Sequence, residues 1–152
     1  MEILTLIGIG YIGAIFWIIS TEVAAVYYCV ELGWNPVLVA ITCAIGQCGM
    51  YATLFSSGGL LLRKWTRFQV LVEKTARRFG THHRIRYLSI AGFGSVTGIP
   101  PMPALAVLAP GFHVPLVGIL AVAFVFRSVR FFVLAQFGNV LIPWLIRVTG
   151  LG

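Results

Sequence analysis

The stretch TGIPPMPALAVLAPG, Thr97–Gly111, decides the fold. It lies in an uncharged run, residues 87–126. By length that run holds two membrane crossings, at about 20 residues each. Its prolines forbid one straight helix. Pro100, Pro101 and Pro103 crowd the start of the stretch, and Pro110 and Pro115 follow. Each removes an amide donor, and each ring clashes with the preceding turn. Backbone groups freed in this way find no water in hydrocarbon. They are tolerated where a segment enters, turns back and packs on protein or lines a wet cavity. Pro100, Pro101 and Pro103 are therefore expected at the tip of a re-entrant hairpin.

Composition points to the same environment. Of 152 residues, 59% are apolar and 10% charged. An ordinary soluble domain carries about 25% charged residues. There are four acids, all Glu, and eleven Lys+Arg. So few charges cannot cover a water-facing surface. A soluble enzyme, a disordered chain and a disulfide scaffold are excluded. Cys29, Cys43 and Cys48 sit in apolar stretches and are expected as free thiols.

Outward from the proline stretch, the chain reads as one membrane domain, 1–152, in three parts. Residues 1–62 form a first half, 63–86 a basic link and 87–152 a second half. The first half has an uncharged run at 3–21 and another at 32–62, the latter interrupted by Gly33, Asn35 and Pro36. These three are expected as the breaks of a first hairpin. Interrupted segments in corresponding places of two halves point to an inverted repeat around a transport site. The expected fold is all-α: transmembrane helices and two re-entrant hairpins facing each other.

Eight of the eleven basic residues lie between Arg63 and Arg86. Clustered this way they report topology, not nucleic-acid binding, and place the link in the cytoplasm. Trp65, Phe68, Val72, Ala76 and Phe79 recur at helical spacing, with Arg67, Lys74 and Arg78 opposite. The link is expected as an amphipathic helix in the interface, its cations toward anionic headgroups. His82–His83 reads as a surface loop, because adjacent side chains point to different faces.

Motifs for hydrolysis and phosphoryl transfer are missing, and neither metal nor cofactor is expected. Glu22 is the most informative acid. It follows an apolar run and starts a segment too short to cross. Arg127 and Arg130 share a helix face inside an apolar run. They must snorkel, pair with an acid or meet phosphate. Gln47, between Gly46 and Gly49, adds a neutral polar group.

In order, these features are Glu22, then GWNP (Gly33–Pro36), then AIGQCGMY (Ala44–Tyr51) and a serine/glycine turn at Ser56–Gly59. The basic link, the proline hairpin and FVFRSVR (Phe124–Arg130) follow. The set resembles the DedA family, the SNARE-associated Golgi or VTT-domain proteins, and within it the small YqaA-like branch. The resemblance covers Thr21 to Gly138. It implies lipid movement between leaflets, of phospholipid or polyprenyl phosphate, in a bacterial inner membrane and with a proton-motive link in several members. Glu22 would match the family's acid in the first hairpin, and Arg127 and Arg130 its arginines after the second. The chain departs from the family in three ways: no proline precedes Glu22, Thr97-Gly98-Ile99 stands where an arginine is usual, and the sequence is short for the family. Two other classes remain open, a small proton-coupled exporter of cationic solutes and a non-transporting membrane assembly partner. The expected partners are membrane lipids, with a homo-oligomer as an open assembly.

Single cysteines introduced in 63–86 are expected to resist membrane-impermeant thiol reagents added to intact cells. Labelling from outside would reverse the topology.

Overall fold

The computed structural model describes residues 2–14, 21–78 and 83–149; side chains at 68, 71, 75–78, 83 and 139–149 lie outside that description. Seven α-helices run in order: α1 (Glu2–Gly13), α2 (Thr21–Val30), α3 (Pro36–Lys64), α4 (Thr66–Arg78), α5 (His83–Thr97), α6 (Met102–Leu108) and α7 (Leu116–Thr149). A short 3-10 turn, Ala109–Phe112, continues α6. The described residues contain no strand. Two helices are long and apolar enough to cross a membrane, Pro36–Lys64 and Leu116–Gly138 within α7. Of the 18 residues that make the apolar window of each, 50% are buried in protein in the first and 17% in the second. Val117, Val125, Val129, Val133 and Phe137 of α7 stay exposed, a surface suited to lipid tails.

The chain divides into two compact units. One joins Met1–Gln47 with Arg127–Gly152; the other is Cys48–Phe126. The grouping is not sequential, because α3 and α7 each contribute to both.

In the first unit, α2 and the start of α3 fold back on each other through a tight connection. Gly33 takes a left-handed φ of 65°. That lets the Trp34 amide reach back to the Tyr28 carbonyl at 3.1 Å, closing the end of α2. Asn35 then caps α3: its Oδ1 accepts from the Val37 amide at 2.9 Å. Pro36 opens α3 where its missing amide costs nothing. The breaks read from Gly33, Asn35 and Pro36 thus satisfy their backbone locally. Tyr28 meets Trp34 edge-on at 5.1 Å. Leu6, Ala25, Tyr28, Cys29, Val39, Cys43, Phe131 and Ala135 form the core. Gly10 and Gly46 let α1 and α3 touch backbone to backbone; a Cβ on Gly10 would lie 2.8 Å from the Cys43 carbonyl oxygen.

In the second unit, α5 and α6 fold back on each other. Thr97 closes α5: its hydroxyl donates to the Phe93 carbonyl at 2.9 Å and accepts from the Ile99 amide at 3.3 Å. Gly98 turns the chain at φ 83°. Ile99–Pro101 connects, through a cis Ile99–Pro100 bond. Pro103 is already in the first turn of α6, where its amide would lack a partner anyway. The buried Tyr87 hydroxyl donates to the Leu105 carbonyl. The Tyr87 ring then lies 4.7 Å from that of Phe112. The contact joins residues 25 apart in sequence.

Two expectations are corrected. Ser56–Gly59 is not a turn but part of α3. The hydroxyls of Ser56 and Ser57 donate to the carbonyls of Ala52 and Thr53, at 3.0 and 2.9 Å, so they need no turn to be satisfied. Gly58 gives the Val107 backbone room to approach. Second, the apolar face of α4 is not simply open to lipid. Its centre, Val72, is 4% exposed and seats on Gly111 of the 3-10 turn, while Trp65 is 64% exposed. The other residues of that face, Phe68, Ala76 and Phe79, lie outside the described side chains, as does the His82–His83 pair.

The adjacent glycines of α3 separate packing from propensity. A Cβ on Gly58 would collide with the Val107 backbone, whereas one on Gly59 meets nothing within 4 Å. Gly58→Ala is expected to destabilise by about 1–3 kcal/mol, and Gly59→Ala to stabilise by up to about 1 kcal/mol. Thermal unfolding in detergent would read the opposite signs.

Candidate functional site

The site lies within the first unit, on α2, α3 and α7. Glu22 stands in the first turn of α2, where the helix's positive end favours a carboxylate. Its Oε1 accepts a charge-assisted hydrogen bond from Nη2 of Arg130. The pair is half-buried, the Arg130 side chain 23% and the Glu22 side chain 37% exposed. Of the three fates open to the arginines, Arg130 takes pairing. The contact joins residues 108 apart in sequence and ties α2 to α7.

Gln47 approaches the same end of α2. Its Nε2 donates to Oγ1 of Thr21 at 3.4 Å, a long bond between two side chains that are both under 5% exposed. Thr21 was not singled out by sequence; its one signal is its place beside Glu22 at the end of an apolar run.

Arg127 is one helical turn before Arg130 on α7. It lies about 16 Å from the start of α7 at 1.5 Å per residue. Its Nε is buried, with no hydrogen-bond partner among the described residues. The hydroxyl of Ser128 beside it is in the same condition. Ser128 is a second residue that sequence reasoning passed over, since a serine in an apolar helix normally bonds back to its own turn. The structure thus gathers Glu22, Gln47, Arg127 and Arg130 into one unit. It gives the direct contact with Glu22 to Arg130.

The hairpin breaks hold no chemistry of their own. Gly33, Asn35 and Pro36 serve the α2–α3 connection, and Pro100, Pro101 and Pro103 serve the α5–α6 connection. Compared with known proteins, the chain matches no family model, no curated protein and no solved structure.

Removing one partner of the Glu22–Arg130 pair leaves a charge in an apolar setting. Glu22→Gln and Arg130→Gln are each expected to cost about 1–2 kcal/mol, less than a fully buried pair because both side chains are partly open. The double variant should cost less than the sum of the two. A thermal-unfolding cycle in detergent checks this; strict additivity would deny the pair.

Proposed function

We propose that this protein moves lipid between the leaflets of a membrane, as a translocase or scramblase for a phospholipid or polyprenyl phosphate. The observation that carries the reading is the polar group on α2, α3 and α7: a half-buried Glu22–Arg130 pair beside Arg127, in a chain that is otherwise apolar. Charges inside a membrane protein are expensive and are kept where they serve a polar path. A headgroup crossing the bilayer needs such a path while its tails remain in hydrocarbon. Glu22 is the one acid in this group and supplies the site for proton coupling, facing Arg130 across its hydrogen bond.

The hairpins support the same reading. Helix α6 with its 3-10 turn covers Met102–Phe112, about 16 Å at 1.5 Å per residue, against a hydrocarbon thickness of about 30 Å. Helix α2, with 10 residues, is shorter still. The Tyr87–Phe112 contact is what a segment that leaves on its side of entry requires. In this reading α2–α3 and α5–α6 are the two re-entrant hairpins of an inverted repeat. The basic link rests at the cytoplasmic face of a bacterial inner membrane, with the exposed Trp65 at headgroup level. This is the architecture and activity that the resemblance to the DedA family implies.

Purified protein in liposomes is expected to speed the loss of fluorescent phospholipid from the inner leaflet, measured by quenching from outside. Glu22→Gln should slow transfer about tenfold or more, the loss of one charge-assisted contact, and remove its dependence on pH. A wild-type rate equal to that of empty liposomes would end the proposal. Uptake of a cationic dye driven by a proton gradient, without lipid movement, would favour the exporter.

A further inference from the structure

Arg127 has no counter-ion among the described residues. The sequence holds four acids, Glu2, Glu22, Glu31 and Glu73. All four are among the described residues, and none pairs with Arg127. Glu22 is committed to Arg130. Glu73 accepts from Nε2 of Gln69 at 3.2 Å on α4. Glu2 and Glu31 are exposed at the start of α1 and just beyond α2. A guanidinium is never deprotonated in a protein, so Arg127 cannot shed its charge.

One of its donors is unmet as well. Arg127 Nε–H and the neighbouring Ser128 hydroxyl are both buried without an acceptor among the described residues. A buried unmet donor is costly, and one on a charged group more so. The Nε–H can only donate and the hydroxyl is able to donate, so one acceptor would serve both, and the charge on the guanidinium favours an anion. The charge of the anion follows from the neighbours. Glu22 and Arg130 cancel, and Arg127 leaves one uncompensated positive charge.

We infer that the polar group around Arg127 is a receptor for a phosphodiester headgroup whose net charge is a single negative one. This rests on the lipid-transfer reading and narrows its substrate to a phospholipid, since a polyprenyl phosphate is a monoester. A phosphodiester carries one negative charge on two free oxygens, which matches the planar fork of a guanidinium. A doubly charged phosphomonoester would bring a surplus negative charge into an apolar setting. A phosphocholine headgroup would carry its own cation and leave Arg127 uncompensated. The two-oxygen anion has two sources, a lipid headgroup or a free phosphate, and the experiment separates them.

The full-length chain in detergent is titrated with short-chain phosphatidylglycerol, phosphatidate, phosphatidylcholine and inorganic phosphate, with thermal stability and native mass spectra as readouts. Phosphatidylglycerol is expected to bind and raise the melting temperature, with phosphatidate and phosphatidylcholine weaker by about tenfold, the scale of one charge-assisted contact. Inorganic phosphate should have no effect. Arg127→Gln should abolish the phosphatidylglycerol response, and Arg127→Lys should weaken it. If Arg127→Gln fails to fold, the wild-type ranking decides alone. Equal binding of phosphatidate or phosphatidylcholine, an equal response to inorganic phosphate, or a response that survives Arg127→Gln overturns the inference. Selective binding without lipid movement in liposomes keeps the inference and ends the translocase reading. Lipid movement without the ranking does the reverse.

Discussion

A peptide group that loses its hydrogen bond where water cannot replace it costs several kcal/mol. This chain meets that constraint at two described breaks in its apolar runs. The connection after α2 satisfies its backbone through the left-handed Gly33, the returning Trp34 amide and the Asn35 cap. The connection after α5 does so through the Thr97 hydroxyl and Gly98. Prolines stand where a helix's first amides have no partner in any case, as Pro36 and Pro103 do. With these amides satisfied locally, the chain turns back at both connections.

Close helix contact follows from these turns. Gly10 against Gly46, and Gly58 against Val107, bring backbones within touching distance. In lipid there is little hydrophobic gain from joining helices, so packing of this kind carries more of the load. Gly111 does similar work for the link, where it receives Val72 of α4. A helix expected to rest on lipid is thereby keyed to the base of the α5–α6 hairpin, while Trp65 remains outside the contact.

Charge is scarce enough that each ionised group can be followed. Eight cations cluster in 63–86, away from the apolar runs. Among those in α7, Arg130 is neutralised by Glu22, and Arg127 is left with a buried donor. A chain with a solvated surface would bury such differences among many ion pairs. Here the scarcity of acids makes the demand for an outside anion visible.

Sequence alone determined the all-helical class, the two connections, the apolar spans and the residues worth watching. Those properties are local: proline and glycine act on their own turns, hydropathy accumulates along a run, and a charge in an apolar stretch stands out by itself. Tertiary structure decided the rest. It kept Ser56–Gly59 inside α3, because two hydroxyls bond back to their own helix and Gly58 faces the Val107 backbone. It turned Val72 toward Gly111. It gave Glu22 to Arg130 and left Arg127 without a partner among the described residues, although both arginines share one face of α7. Which of two neighbouring guanidinium groups meets a carboxylate 108 residues away depends on how α2 packs beside α7, and no local periodicity encodes that.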